Sequence, residues 1–296
     1  MRRFAMICLP YLWLVALFLV PFLIVFKISL SDIDLAIPPY TPRLDFNAGW
    51  QGFLRFWAAL DFENYVFLTS DDLYWKAYLS SLRIAFISTT LTLLIGYPIA
   101  YGIARASTEW SATLLMLVIL PFWTSFLIRV YAWMGILGTE GLLNQLLLAL
   151  GLIETPLTIL NTNWAVYIGI VYTYLPFMIL PIYASLEKLD NSLLEAAIDL
   201  GCSRLRAFWL ITMPLSKNGV VAGCFLVFIP ALGEFVIPSL LGGSRTLMIG
   251  KVLWEEFFSN RDWPVASAVA IILLLILIIP IILFQRNEQK QREGEQ

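Results

Sequence analysis

One carboxylate lies in an apolar stretch where a charge is unusual. Glu234 is the only charged residue between positions 218 and 244. A charged side chain at the centre of a bilayer costs roughly 2.5–3.5 kcal/mol, so such residues usually face a cavity and mark the path of a substrate or an ion. Pro230, Gly233 and Pro238 are expected to break the helix near it and to free backbone carbonyls that line the cavity. The pattern predicts a substrate pathway at Glu234.

The same carboxylate permits a second interpretation. At the outer interface of the membrane, Glu234 would pair with Arg129 or Arg245 and have a structural role only. Sequence spacing does not decide between the two interpretations, and both stay open at this point.

Aromatic side chains in neighbouring apolar stretches suit the same chemistry. A cation over an aromatic ring gains roughly 0.5–2 kcal/mol, so a carboxylate with rings around it is typical of a site for an organic ammonium ion. Aromatic residues at the ends of membrane spans are also common as interface anchors. The candidates for the substrate pathway are Trp123, Tyr131, Tyr172 and Tyr174.

A second pattern lies in the longest charged segment between apolar stretches. Ser192 and Glu195 have the spacing of a capping box, which predicts the start of a helix. Leu193, Ala197 and Leu200 then follow at i, i+4 and i+7, on one face of that helix. Gly201 is expected to end the helix in the left-handed conformation. The segment therefore begins with a short amphipathic helix.

A second short helix is expected directly afterwards. Ser203 is a suitable N-cap, and Leu205 is the first apolar residue of the helix. Two short helices bent at a glycine would project from the membrane and fill a groove on a partner. The alternative is a solvated loop between two spans. The residues predicted to contact the partner are Glu195, Ala196, Ala197, Leu200, Gly201, Leu205, Ile211 and Pro214.

Composition restricts the class of protein. Of the 296 residues, 60% are hydrophobic and only 14% are charged, whereas about a quarter of the residues of a soluble protein are charged. The sequence has no histidine, which removes the commonest general base and metal ligand. It also has no phosphate-binding G-x4-G-K-[S/T] motif, and its net charge of -2 offers no electrostatic surface for nucleic acid. We expect an all-α polytopic membrane protein, in contact with lipid, that binds no cofactor.

Charge-free windows locate the membrane spans. Each is close to the ~20 residues that a helix needs to cross the hydrocarbon core. The run 142–153 is too short and is interpreted as a re-entrant or interfacial helix. The six windows are 4–26, 84–104, 110–128, 164–186, 218–233 (which continues past Glu234 towards Leu241) and 263–285.

Six spans place both ends of the chain on one side of the membrane. Four short segments would share that side, and they hold ten of the nineteen Lys and Arg residues. The positive-inside rule therefore favours cytoplasmic termini. The resulting regions are 1–28 with the first span, a periplasmic segment 29–82, a core 83–285 that contains a cytoplasmic loop 187–217, and a cytoplasmic tail 286–296. Segment 29–82 is either an interfacial aromatic belt or a platform for a binding protein, and these roles are compatible.

The loop 187–217 resembles the EAA loop of ABC importer permeases. Their pattern is E-A-A-x3-G-x9-I-x-L-P, and the chain matches it from Glu195 to Pro214, except that Met213 replaces the usual Leu. Further stretches, 121–131, 186–190, 233–238 and 260–264, look like those of polyamine importer permeases. The segments at 10–13 and 37–41 are closer still to putrescine permeases.

This resemblance implies a type I ABC importer transmembrane domain in the bacterial inner membrane. Its partners would be a second homologous permease subunit, two copies of a cytoplasmic ATPase and a periplasmic polyamine-binding protein. ATP and Mg would be bound by the ATPase, so this chain would be a transport subunit and not an enzyme. The implied cargo is a polyamine, most of all putrescine, with spermidine or another small organic cation as the alternative.

A membrane-embedded enzyme and a structural scaffold are the competing classes. The first would need more intramembrane polar groups, and the second would need no EAA spacing.

Overall fold

The computed structural model describes residues 10–43, 49–244 and 246–294, and these residues are mostly helical. The chain divides into two compact units, one formed by residues 1–77 with 252–296 and the other by residues 78–251. The helices in chain order are α1 (Pro10–Ser29), α2 (Gly49–Ala58), α3 (Glu63–Ser70), α4 (Asp72–Arg105), α5 (Thr108–Ile119), α6 (Phe126–Leu137), α7 (Leu142–Ala149), α8 (Asn163–Glu187), α9 (Asn191–Asp199), α10 (Arg204–Leu215), α11 (Lys217–Leu232), α12 (Val236–Leu241), α13 (Ile249–Trp254) and α14 (Trp263–Gly294).

The first unit contains the N-terminal helix and the C-terminal helix, which pack together. Helix α14 lies against α1 and α3. A two-residue hairpin follows α1, with β1 (Asp32–Ile33) antiparallel to β2 (Tyr40–Thr41). Lys27 fixes the hairpin to the end of α1, because its Nζ donates to the carbonyl oxygen of Pro42 at 2.6 Å and lies 4.1 Å from the centre of the Tyr40 ring.

The second unit is built around the contact between α8 and α11. Their backbones approach closely where α11 carries Gly219 and Gly223. A Cβ atom on Gly219 would lie 2.5 Å from the carbonyl oxygen of Pro181, and one on Gly223 would lie 2.8 Å from Sδ of Met178. Small residues at this spacing let two membrane helices pack closely. The contact fixes α8, which carries Tyr174, against α11, which ends two residues before Glu234.

Four of the described helices are long and apolar enough to cross a membrane, or five if a bent pair counts as one span. The four are Pro10–Ser29, Asp72–Arg105, Phe126–Ala149 (in which a short turn separates α6 from α7) and Asn163–Glu187. The bent pair is Arg204–Leu215 with Lys217–Leu232, at an angle of 63°. Shorter apolar helices, Thr108–Trp123 and Trp263–Ile279, fill the third and sixth predicted windows. The start of the first window, at residues 4–9, lies outside the described residues. The count of six spans stays a prediction.

The third window, 110–128, is not one continuous helix, so that boundary was wrong. A 3-10 turn, Leu120–Trp123, ends the first helix, and Thr124 and Ser125 are extended before α6 begins. Pro121 lacks an N–H and disfavours helical geometry in the residue before it. Arg129 was taken as the boundary of the window because it is charged, yet it lies inside α6. The run expected to be re-entrant contains α7, which belongs to the apolar stretch Phe126–Ala149.

Candidate functional site

Glu234 lies in a break between two helices. Helix α11 ends at Leu232 and α12 begins at Val236. The expectation of a break here is confirmed, but the two prolines do not make it. Pro230 lies inside α11 and Pro238 inside α12. Pro238 is tolerated because the first turn of a helix leaves its N–H groups without intrahelical partners anyway.

The Glu234 carboxylate is buried and accepts hydrogen bonds on both oxygens. Its Oε1 accepts from the backbone N–H groups of Val236 at 3.0 Å and Ile237 at 3.4 Å. Its Oε2 accepts from the hydroxyl of Tyr174 on α8 at 2.6 Å. Only 8% of the residue is exposed. Because a buried charge is costly unless it is hydrogen-bonded, these donors explain how a carboxylate persists in an apolar environment.

The carboxylate borders a cavity of about 620 Å³, which we call the Glu234 cavity. Apart from Glu234 and Arg129, its walls are apolar and aromatic for the most part, and it is open on one side. Aromatic faces next to a carboxylate favour a cation. The lining residues are Phe122, Phe126, Arg129, Thr173, Tyr174, Phe177, Pro230, Gly233, Glu234, Phe235 and Val236.

The structure tests one part of the structural alternative for Glu234. Arg129 lies in the same cavity, but the ion pairs among the described residues do not join it to Glu234. Arg245, the other expected partner, lies outside the described residues. The donors that stabilise the carboxylate come instead from Tyr174 and the start of α12.

Of the four aromatic residues predicted for the pathway, Tyr174 alone lines this cavity. Trp123 and Tyr131 are exposed, and Tyr172 packs edge-on against Trp133 with ring centres 5.3 Å apart. The prediction for Trp123, Tyr131 and Tyr172 therefore stays a prediction.

Sequence reasoning missed three phenylalanines as members of the cavity wall. Their signal was their position, since each lies within three residues of a candidate residue, but phenylalanine is too common in apolar stretches to stand out. These residues are Phe122, Phe126 and Phe235.

The segment 187–217 forms the predicted pair of helices, and we call it the coupling loop after the role that the sequence predicts for it. Helix α9 begins one residue after Asp190, whose side chain accepts from the N–H of Ser192 at 2.9 Å. This bond lowers the pKa of the Asp190 carboxyl. The expected capping box from Ser192 to Glu195 was therefore displaced, because the acceptor nearest the helix start is Asp190. Asp is among the preferred N-cap residues.

Gly201 ends α9 as predicted. Its φ is +83°, in the left-handed region. The N–H of Gly201 donates to the carbonyl of Ile198, and the N–H of Cys202 donates to that of Ala197. This is the Schellman arrangement, which satisfies the last carbonyls of a helix. The glycine therefore sets the direction in which the chain leaves α9.

The second helix of the coupling loop, α10, is fastened to the rest of its unit. Ser203 caps it through a bond from the N–H of Arg206, as predicted. Its Phe208 ring packs edge-on against Tyr97 and Tyr101 of α4, with ring centres 5.7 Å and 5.5 Å away. Ile211 and Pro214 lie on the same helix. These edge-on ring contacts join α10 to α4.

Large apolar side chains of the coupling loop are exposed. Leu200 is 89% exposed and Leu205 is 71% exposed, and Trp209 is exposed as well. Exposed apolar side chains in a charged segment are typical of an interaction surface. Glu195 and Ala196 are also exposed, whereas Ala197 is partly buried.

A groove of about 350 Å³ is lined by residues of α9, α10 and the end of α4, and its lining contains both signs of charge. Glu195 lines it together with Arg105 and Arg204. Polar side chains beside exposed apolar ones supply the rim and the core that protein interfaces combine.

Comparison with known proteins gives a consistent result. Residues 3–292 match the family described as "Binding-protein-dependent transport system inner membrane component". The chain is 40% identical over 280 residues to the spermidine/putrescine transport system permease protein PotB of Haemophilus influenzae, covering 95% of this chain and 92% of that protein. It is 45% identical over 224 residues to PotB of Escherichia coli, covering 76% and 81%.

Solved structures have the same fold. A bacterial ABC transporter that imports the acidic polysaccharide alginate matches with a TM-score of 0.67 and 16% identity, over 96% of this chain and 94% of that one. The methionine ABC transporter MetNI in an inward-facing conformation matches with a TM-score of 0.56 and 15% identity, over 74% and 95%. The expected ABC transporter transmembrane fold is confirmed.

Proposed function

The chain belongs to the family of binding-protein-dependent transport system inner membrane components, and from that premise we propose that it is the permease subunit of an ATP-driven importer for polyamines. The observation that carries the choice of cargo is the buried Glu234 carboxylate in an aromatic cavity. An ammonium group entering the cavity would find a negative charge and ring faces within reach. The names of the relatives point to the same class of substrate.

Within that class, the cavity suits a linear diamine such as putrescine. Relatives at 40–45% identity are named for spermidine and putrescine together. Spermidine is therefore as strong a candidate as putrescine. Both are flexible chains of methylene groups between ammonium groups, which suit an apolar wall with one fixed carboxylate.

The coupling loop is the proposed contact for a cytoplasmic ATPase. Its exposed Leu200 and Leu205 would enter a groove on the ATPase, and the Phe208 contact with α4 would carry the movement into the helix bundle. The complete importer would hold a second homologous permease, two ATPase copies that bind ATP and Mg, and a periplasmic polyamine-binding protein.

A reconstituted importer tests this function. The chain would be purified with the partners that copurify with it and placed in proteoliposomes with internal ATP. We expect uptake of labelled putrescine and spermidine that needs ATP and the loaded binding protein, and none of a neutral sugar. Copurification without any ATPase, or ATPase activity indifferent to polyamine, would contradict the proposal.

Both termini are proposed to face the cytoplasm of the bacterial inner membrane. Single cysteines placed within 49–58, in α2, should react with an impermeant maleimide from outside. A cysteine at 286 should react only after the membrane is opened. Labelling of the cysteine at 286 in intact cells would contradict the proposal that the C-terminus faces the cytoplasm.

A further inference from the structure

The wall of the Glu234 cavity has two places where a cation can lie against aromatic rings. The first is formed by Phe122 and Phe126, and the chain's own Arg129 occupies it. The Cζ atom of the guanidinium lies 5.1 Å from the centre of the Phe122 ring and 6.0 Å from that of Phe126. A ring face attracts a cation over distances up to about 6 Å. These two rings are therefore already in contact with a positive charge.

The second place lies beside the carboxylate. Tyr174 donates to Oε2 of Glu234 at 2.6 Å, and the rings of Tyr174 and Phe177 have their centres 6.2 Å apart. Phe177 also contacts Phe122 edge-on, with ring centres 5.2 Å apart, so the two places adjoin. Of the described residues that line the cavity, Arg129 alone is positively charged, and the ion pairs of the described chain do not join it to Glu234. The place beside the carboxylate is thus the one that a foreign cation can enter.

An ammonium ion bound at Glu234 would share a cavity of about 620 Å³ with the Arg129 guanidinium. Like charges repel, and apolar walls screen the repulsion less than water does. A guanidinium is always protonated in a protein, so the repulsion is present at every physiological pH. The attraction of Glu234 and the repulsion of Arg129 therefore oppose each other. A site on a conducting path needs such a balance, because the ion has to leave as well as enter.

We propose that Arg129 is a specificity-determining residue, which keeps the Phe122 and Phe126 rings filled and limits the cavity to one ammonium group of the cargo, held at Glu234. The inference rests on the proposed function, since it takes a polyamine as the cargo. The second ammonium of a diamine then finds no free ring place in this wall. Without the guanidinium, a diamine would have both places available, and it would bind more tightly and leave more slowly.

Removal of the charge tests the role of Arg129. Arg129→Met keeps an unbranched side chain and removes the charge, whereas Arg129→Lys is the matched control that keeps the charge. The measurement is equilibrium binding of labelled putrescine to the purified, assembled importer without its binding protein. Arg129→Met should bind putrescine roughly tenfold more tightly, and Arg129→Lys should change the affinity by less than about twofold. Unchanged or weaker binding by Arg129→Met would overturn the proposal.

The number of charges on the ligand tests the second place. Butylamine has the four carbons of putrescine and one ammonium group, and its affinity can be measured by competition with labelled putrescine. Both amines escape the repulsion in Arg129→Met, but putrescine alone has a second ammonium to place on the freed rings. The gain in affinity should therefore be larger for putrescine. Equal gains for the two amines would overturn the proposal.

Two phenylalanines give a test that keeps Arg129, and it decides the question if Arg129→Met does not accumulate. Phe122 and Phe177 are matched, because they are 36% and 38% exposed and line the same cavity. Phe177→Leu should weaken putrescine binding several-fold, since it removes a ring beside Glu234. Phe122→Leu removes a ring that holds Arg129 and should weaken binding less. Equal losses, or a larger loss in Phe122→Leu, would overturn the proposal.

Release of the cargo supplies a separate measurement. With the loaded binding protein at saturation, uptake by Arg129→Met should be slower than uptake by the unaltered chain, because tighter binding delays release. A merely structural role for Arg129 would lower accumulation or assembly and would not tighten binding.

Failure of this proposal and failure of the proposed function are distinguishable. ATP-dependent polyamine uptake by the unaltered chain belongs to the proposed function. That result can hold while Arg129→Met binds putrescine no more tightly, in which case only the role of Arg129 is wrong.

Discussion

The coupling loop and the Glu234 cavity are each a break between two helices beside a glutamate, yet their side chains are placed in opposite ways. In the loop, Glu195 and Leu200 are exposed and the break at Gly201 is a left-handed turn. At the cavity, Glu234 is buried and three donors fix it. The loop exposes Leu200 and Leu205, whereas the cavity encloses the charge of Glu234.

Under the proposed function, this difference separates a surface that contacts a partner from a site that binds a small ion. An exposed leucine in a charged segment gains most by leaving water, and only another protein offers enough apolar area. A buried carboxylate with fixed donors keeps its position before any ligand arrives, which is typical of a preformed polar group in a small-molecule site. The same kind of helix break therefore occurs with an exposed glutamate in one region and a buried glutamate in the other, and the proposed function assigns the two regions different roles.

The largest effect on uptake is expected from substitutions of the buried Glu234. Glu234→Lys places a second positive charge beside Arg129 and leaves Tyr174 and two N–H groups without their acceptor. Disruption of a buried charged group costs about 3–5 kcal/mol, so uptake should fall at least about a hundredfold. Glu234→Gln keeps an acceptor and should lose less. Uptake of labelled putrescine at matched expression is the measurement.

Assembly of the importer is the control for the two Glu234 variants. Copurification of the ATPase with both variants would show that the importer still forms. Normal transport by Glu234→Lys would make Glu234 a structural carboxylate, and the pathway would then be sought among Trp123, Tyr131 and Tyr172.

A comparable loss of uptake is expected at the glycine of the coupling loop. Gly201→Val forces a β-branched side chain into the left-handed region, at a cost of roughly 1–2 kcal/mol. The chain should leave α9 in another direction, and uptake should be lost while the protein stays in the membrane. Gly151 is a matched control, because its φ is +67°, it also ends a helix, and no neighbour would contact its Cβ.

Gly151→Val should carry the same local strain without uncoupling. Equal losses of uptake in the two valine variants would mean that strain, and not the coupling surface, is responsible.

Glu195→Arg adds an independent test, since it places a third arginine beside Arg105 and Arg204 at the groove. ATP hydrolysis that no longer responds to the loaded binding protein is the expected readout.

The smallest effect is expected from substitution of the exposed Leu200, and it concerns the affinity for the ATPase. Leu200→Ser removes apolar surface that has no contact to lose within the chain, since the side chain is almost fully exposed. Stability of the isolated permease should change by less than about 0.5 kcal/mol, while the affinity for the ATPase falls several-fold. Titration of the ATPase against the detergent-solubilised permease measures this. An unchanged affinity would remove Leu200 from the contact surface.

The coupling loop was largely predictable because its signals are local. The left-handed Gly201 and the cap at Ser203 depend on a few neighbouring residues, and both predictions are confirmed. The error at Ser192 came from two acceptors in close succession, of which the earlier one, Asp190, caps the helix. The single long window at 110–128 failed because absence of charge does not detect a helix break at Thr124 and Ser125.

The sequence by itself determined that this is an apolar helical membrane protein with a carboxylate in a broken apolar stretch and a pair of short helices in its charged loop. These properties follow from composition and from periodicity over a few turns. Only the tertiary structure decided that Tyr174, 60 residues away in the chain, donates to Glu234, and that Arg129 lines the same cavity without a described acceptor. Contacts between distant residues depend on how helices pack, and the packing of α8 on α11 is set by many side chains together. No single spacing in the sequence encodes it.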